Sequence, residues 1–464
     1  SSGFPRVTLM RYTFMIVLFF LAGVVGFGPA YAGLSVEGQK CLGLFLLCVG
    51  LWVSHVVPLH ITSMLVMVLL PVTGIMDSRK AFGMFGNEAM FFILGAFILS
   101  SIMIECGLSI RISLWVFDKF GRSPRTLRAS VFLLCAFMSF WMSEHAVAAM
   151  AFPIMLEIVH SLKLEPLKSP YAGSMFLAMS YGCIIGGIAT FLGGARAPLA
   201  LGILLENTGE RIGFFEWLIA DIPLVLALMV VGLVVLEIFY KPEIKDVKKA
   251  HDIIHKKVLK LGEVSGREYA IGTVMLLTII SWIFLRNYIG LASAALLAVS
   301  LLFIFNLVKW RDVEHGIDWS IIIMYGGAIA LGSALHQTGA ATWLVESLIG
   351  GHTFSAIAVI AAGGAIATLL TESISNTAVV AVLLPVGLNM APDLGIDPKI
   401  MTYAITLPAG LAFMMPMATP AIAIAFSSGY INRMQMFKTG IIMNVLAWIL
   451  FVLTAYFYWP LLGY

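Results

Sequence analysis

The sequence predicts an all-α polytopic membrane protein with about 11 transmembrane helices plus two re-entrant hairpins. Three observations carry that expectation. Hydrophobic residues make up 60% of the 464 residues and charged residues only 11%, whereas a soluble domain needs about 25% charged residues to cover its surface. Apolar stretches near the ~20 residues that cross a hydrocarbon core recur along the chain. Lys and Arg gather in short runs between those stretches, the pattern expected of cytoplasmic loops. The net charge of +3 is too small to imply a nucleic-acid partner, so the composition points to the lipid bilayer instead.

The elements follow in order. Spans are expected at about 12–34, 41–58 and 61–76, forming an N-terminal scaffold unit over 1–80 with a cytoplasmic N-terminus. No cleavage motif follows the first of them, so it reads as a span and not as a removed signal. A fourth span, at about 85–107, leads to Arg111, Lys119, Arg122, Arg125 and Arg128, a cytoplasmic run. The apolar region 130–160 is followed by Lys163 and Lys168, so both its flanks are basic. A hairpin that enters and leaves on the cytoplasmic side keeps both flanks inside. Spans at about 172–205 and 215–240 complete a first repeat unit over 81–240.

Segment 241–268 carries Lys241, Lys245, Lys248, Lys249, Lys256, Lys257, Lys260 and Arg267, with Ile253, Ile254, Val258 and Leu259 on one face. That spacing predicts an amphipathic linker lying on the cytoplasmic surface. Spans at about 269–286 and 289–308 then lead to Lys309 and Arg311, also inside. The second unit, 269–464, holds an outer-side hairpin at 352–390 and a broken helix at 400–430. The five cysteines (Cys41, Cys48, Cys106, Cys135, Cys183) lie in apolar stretches without metal-ligand spacing and read as small buried hydrophobes. The 25 methionines read as gap fillers between helices.

An internal repeat orders this pattern. Leu99, Ser101 and Gly107 match Leu331, Ser333 and Gly339 at an offset of 232, and Ser143, Ala146, Val147 and Pro153 match Ser375, Ala378, Val379 and Pro385 at the same offset. An odd number of crossings separates the copies in the expected topology, so they run in opposite directions. Inverted repeats of this kind belong to many secondary transporters, whose sites lie at the repeat interface near the midplane.

Each hairpin has small and polar residues at its middle. The first reads Ser139-Phe140-Trp141-Met142-Ser143-Glu144-His145 and the second Thr371-Glu372-Ser373-Ile374-Ser375-Asn376-Thr377. Polar groups at membrane depth are costly unless paired or lining a wet cavity. Helix N-termini at such tips favour an anion, and freed carbonyls favour a cation such as sodium. A long apolar stretch follows each hairpin and is interrupted, first by 186–198 with Gly186, Gly187, Gly193, Gly194 and Pro198, then by Pro408, Gly410, Pro416 and Pro420. Such clusters break the helical hydrogen-bond ladder. Two tips and two breaks are therefore expected to converge on one central site.

At these residues the sequence resembles the divalent anion/sodium symporter family, which includes dicarboxylate, citrate and sulfate transporters. Ser375-Asn376-Thr377, followed by Ala378-Val379-Val380 and Pro385, matches the family's tip motif, and the breaks resemble its Gly-Gly-x-Ala-Thr and Ala-Thr-Pro segments. The resemblance covers nearly the whole chain. It implies a homodimeric elevator carrier of a small divalent anion, C4-dicarboxylate-like, in a bacterial inner (cytoplasmic) membrane, with no bound cofactor and with sodium as coupling ion. It further implies substrate contacts from Ser143, Glu144, His145, Arg196, Ser375, Asn376, Thr377, Thr419 and Pro420. Cation contacts would come from Ser139, Ser143, Gly193, Thr371, Ile374, Asn376 and Ala418.

The first half departs from the family pattern. Its tip reads Ser143-Glu144-His145, and Gly194-Ala195-Arg196-Ala197 stands where the family has a Thr-Pro-Pro-Asn-like run. Three readings stand side by side. Arg196 replaces the first sodium as a fixed charge, with Glu144 orienting it, in a carrier using fewer sodium ions or in an exchanger. Alternatively, Glu144 and His145 titrate and couple transport to protons. In the third reading Glu144 and Arg196 form a structural ion pair and His145 packs at the tip. Glu372 reads equally as a neighbour of the second cation site or as structural. His336 and Glu105 read as snorkelling or capping groups. An intramembrane enzyme using Glu144 and His145 is the rival from another class, but no His-Glu-x-x-His accompanies them. An exporter of arsenite or another oxyanion is the rival within transport. The chain has no Gly-x-x-x-x-Gly-Lys loop for a nucleotide.

Overall fold

The computed structural model describes residues 6–285, 287–350 and 354–464. The first five residues of the N-terminal unit, the expected end of one span at 286 and the expected start of the second hairpin at 352 lie outside the described residues. Among the described residues every regular element is a helix. The opening helices are α1 (Arg6–Phe27), α2 (Val36–Ser54), α3 (Leu59–Val72) and the short α4 (Ser78–Gly83). Next come α5 (Glu88–Glu105), α6 (Leu108–Phe120), α7 (Pro124–Met138), α8 (Glu144–Ser161), α9 (Pro170–Gly186), α10 (Arg196–Thr208) and α11 (Phe214–Phe239). The middle of the chain forms α12 (Lys248–Leu261), α13 (Gly266–Phe284), α14 (Leu291–Ile304) and the one-turn α15 (Trp310–Val313). The last third forms α16 (Trp319–Gln337), α17 (Ala340–Ile349), α18 (Ala356–Thr371), α19 (Asn376–Met390), α20 (Pro398–Ala409), α21 (Pro420–Ser427) and α22 (Arg433–Leu453).

Among the described residues, seven helical stretches are long and apolar enough to cross a bilayer, including α1, α2, α11, α13 and α16. Four of the expected crossings are not single long helices. At 61–76 and 289–308 the chain forms α3 and α14, with 14 residues each. At 172–205 and 400–430 it is interrupted between α9 and α10 and between α20 and α21. Most of the basic stretch 111–128 is helical, lying in α6 and at the start of α7. Ser123 opens α7 with a capping box to Thr126 and Pro124 at the first helical position, a strong local start signal.

Element order repeats from α5–α11 to α16–α22. Gly107 and Gly339 both take left-handed φ (83° and 72°) before α6 and α17. Ser143 and Ser375 cap α8 and α19, each accepting an N–H three residues on at 3.2 Å, from Ala146 and Ala378. Pro153 and Pro385 sit at matching places inside those helices. The same local chemistry therefore builds two helix–turn–helix hairpins, α7–α8 and α18–α19.

Burial sorts the helices into shells. α9 is buried at every position from 171 to 186 and α20 from 400 to 409, so the helices that feed the two breaks form the centre. α1 is outermost, with 17% of its window buried against 72% for α16. Ile16, Phe20, Leu226, Val230, Leu276, Phe284, Ile304 and Leu369 are exposed, and a bilayer is the environment that removes such apolar surface from water. Cys41, Cys48, Cys135 and Cys183 are buried and Cys106 is half-buried, all as free thiols. α12 buries Ala250 and Ile254 and packs on α6 and α8, while Leu259, expected on its apolar face, is exposed. Lys257 pairs with Glu157 of α8, and His251 and His255 both reach Asp118 of α6.

Pro223 inside α11 leaves the carbonyl of Ile219 without its usual helical donor. Tyr458 Oη donates to that carbonyl at 2.9 Å, and Trp459 Nε1 donates to the next one, Ala220, at 2.9 Å. The aromatic turn after α22 thus restores the broken ladder and fixes α11 against the core.

Candidate functional site

The hairpins and the broken helices cross over between halves. α8 packs on α9 and on α21, while α19 packs on α20 and on α10. Each hairpin's inner helix thus touches the broken helix of the other half.

In the first half, the tip is tied to the break by backbone and hydroxyl contacts. Glu144 N donates to Gly193 O at 2.9 Å, and Thr190 Oγ1 donates to Phe140 O at 2.6 Å. The break folds back on itself so tightly that a Cβ on Gly193 would stand 2.3 Å from Gly187 O, which only glycine allows. Arg196 opens α10 and is buried. Its Nη2 donates to Gly187 O at 2.8 Å, and its Nη1 stands 3.8 Å from Glu144 Oε2, an ion pair too long to be a hydrogen bond. Glu144 Oε2 and Ser139 Oγ are buried without a hydrogen-bond partner among the described residues. Arg196 also spans to the other half. A Cβ on Gly410, in the second break, would stand 2.2 Å from Arg196 Nε. The guanidinium therefore lies between the two breaks, with donors left over after its one hydrogen bond among the described residues. Tyr325 of α16 steadies this helix start by donating to Ala195 O.

The second half is filled differently. Thr371 Oγ1 stands 2.5 Å from Asn376 Oδ1 and 2.8 Å from Ala409 O. One hydroxyl hydrogen serves two acceptors there, so the three oxygens keep lone pairs free, the surroundings a hard cation needs. Glu372 turns the other way, into the second break. Its carboxylate accepts the backbone N–H groups of Phe413, Met414 and Met415 at 2.9–3.2 Å, and Asn444 Nδ2 of α22 at 2.6 Å. Consecutive N–H groups around an anion form a nest, and here the anion is the protein's own. That contact gives Glu372 a structural role.

The remaining expected residues divide by exposure. Ile374, Asn376, Thr377, Ala418 and Thr419 are buried, Ser143 and Ser375 are half-buried, and His145 and Pro420 are exposed. Thr419 caps α21 by accepting Ile422 N–H at 3.3 Å. His336 bonds Asn389, and Glu105 pairs with Arg267 away from the tips. Sequence reasoning missed Asp221 of α11, fully buried and within electrostatic reach of Arg196. It also missed Asn444, which completes the Glu372 nest. The signal was present in both cases, a single polar residue inside an otherwise apolar span.

The chain resembles known proteins along most of its length. The family model for the sodium:sulfate symporter transmembrane region matches residues 9–464. A sodium-dependent dicarboxylate transporter, SdcS, of Staphylococcus saprophyticus is 28% identical over 453 residues, covering 92% of this chain and 87% of the relative. Its Staphylococcus aureus counterpart is 27% identical over 470 residues, covering 96% and 90%. Among solved structures, the Neisseria gonorrhoeae MtrF efflux pump aligns with a TM-score of 0.59 at 13% identity, covering 96% of this chain and 94% of that one. The Alcanivorax borkumensis YdaH transporter aligns at 0.56 and 12% identity, covering 99% of both chains. These two likenesses concern the fold alone.

Proposed function

The chain belongs to the sodium:sulfate symporter family, and on that premise we propose that it is a secondary active carrier of a small divalent anion, C4-dicarboxylate-like, coupled to sodium. The observation that supports this reading is the approach of Arg196, in the first break, to Gly410 of the second, beside the oxygens of Thr371, Asn376 and Ala409, with guanidinium donors to spare. A fixed guanidinium suits a carboxylate by shape and charge, and neutral oxygens suit a sodium ion. The two relatives named above carry dicarboxylates with sodium, in keeping with both assignments. Coupling is also needed energetically. Moving a dianion inward against 100 mV, inside negative, costs about 4.6 kcal/mol, at about 2.3 per charge.

In this reading the two halves are inverted repeats. The hairpins with their broken helices form a moving body, and α1–α3 belong to a static scaffold. Two copies of the chain form a dimer in a bacterial cytoplasmic membrane, with the N-terminus and α12 on the cytoplasmic side. A second reading is favoured by one observation: Arg196 occupies the first half-site, where a cation would meet its repulsion. That arrangement suits a carrier with fewer sodium ions or a sodium-independent exchanger. Uptake of a labelled dicarboxylate panel and sulfate into proteoliposomes separates the two. Accumulation driven by a sodium gradient is the expected result. Uptake that needs only internal counter-substrate supports the exchanger, and failure of every anion to move overturns both.

A further inference from the structure

Four acidic side chains are buried among the described residues, and three of them are compensated. Glu372 has its nest and Asn444. Glu268 has Arg111 at 2.8 Å and the N–H of Ser265. Glu144 faces Arg196 and lies in the first turn of α8, where the helix dipole favours an anion. Asp221 has nothing comparable. It is 0% exposed, seven residues into a membrane-spanning helix, and among the described residues neither carboxylate oxygen has a hydrogen-bond partner from another element.

Few charged or titratable groups of other elements act on it. From α10 the charged neighbour is Arg196, whose charge Glu144 also draws on. From α20 the titratable neighbour is Tyr403, whose hydroxyl is buried without a partner, as is Thr406 Oγ1 one turn on. From α7, Arg128 is committed to Glu237 and Tyr240 near the opposite end of α11. From the aromatic turn, Tyr458 and Trp459 are committed to backbone carbonyls. One guanidinium thus stands among two buried carboxylates, and an ionised, unsolvated carboxylate without its own donor is prohibitively costly.

We propose that Asp221 is a proton-binding site of the transport cycle, so that a proton travels with the substrate. The inference rests on the reading of Arg196 as a substrate contact. With the anion on Arg196, that positive charge is spent, and Asp221 stays as the neutral acid. When the anion leaves, Arg196 is free to stabilise the carboxylate, and the proton departs to the side then open to water. By linkage, whatever substrate does for the proton the proton does for substrate.

The test uses the full chain in proteoliposomes with a trapped pH dye and labelled succinate, with counterflow of the label measured in parallel. Wild-type protein is expected to acidify the lumen as succinate enters, and an inward proton gradient should raise uptake several-fold at fixed sodium. Asp221→Asn, which keeps the shape of the protonated acid, should lose the proton signal and flatten the pH profile of counterflow. Net succinate uptake by wild type without acidification of the lumen overturns the proposal, as does an Asp221→Asn variant with an unchanged pH profile. If Asp221→Asn does not fold, Asp221→Glu decides: a shifted pH profile of counterflow is expected, and an unchanged one overturns the proposal. Absence of counterflow for every anion removes the transport reading itself, and this inference with it.

Discussion

Arg196 is the side chain on which both halves of the site lean. Replacing it by Met leaves Glu144 buried beside an empty partner position, and breaking a buried pair costs about 3–5 kcal/mol. Thermal unfolding in detergent should show that loss, and Glu144→Gln combined with Arg196→Met should recover most of it while transport stays absent. Asn376→Ala is expected to abolish uptake, because the amide contributes to the oxygen cluster and stands at the motif's centre. Normal transport by that variant would mean that the site lies elsewhere. The sequence made Asn376 and Thr377 legible, because three residues at a repeated hairpin tip formed a recognisable word. The relation of Glu144 to Arg196 was not decidable there. Fifty-two positions separate them, and only the fold of the first break brings them to 3.8 Å. Asp221 was harder still, since its meaning depends on which neighbours fail to reach it.

Among the elements, the second break and the linker helix make opposite predictions. Glu372→Gln weakens the charge-assisted bonds to three consecutive N–H groups, each worth about 1.5–3 kcal/mol when one partner is charged. Hydrogen exchange at 413–415 should quicken and the melting temperature should fall. Lys257→Ala removes a pair whose side chains are about two-fifths exposed (41% and 39%), so its effect should stay within about 1 kcal/mol in the same assay. The hairpins were legible because polar residues interrupt an apolar run at one point and resume it in the same pattern. α6 and α17 were not assigned as helices. Charges on α6 obscured its amphipathic spacing, and α17 is only 10 residues long, so their helicity depends on packing against neighbours.

At the scale of the molecule, the proposed inverted arrangement is tested by sidedness. Single cysteines at Lys168 and Asp393, exposed beyond the outer ends of α8 and α19, should react with a membrane-impermeant maleimide from opposite faces of oriented vesicles. The native thiols give little background, since four of the five are buried. Reaction from one face only would overturn the inversion. Hydropathy made the helical class and the membrane setting readable. The count of full crossings was not, because the apolar runs at 61–76 and 289–308 do not reveal that their helices, α3 and α14, extend for only 14 residues each.

The two halves share a backbone plan but hold opposite charges at their breaks, a guanidinium in the first and a carboxylate in the second. If an ancestral duplication made them, each socket has since acquired its own filling, and the halves have ceased to be interchangeable parts. Drift should then be correlated within a socket, position 144 with 196 and position 372 with 444, and independent across the pseudo-symmetry. A chimera built from two second halves would inherit two acidic plugs and no guanidinium, and so should assemble without holding an anion.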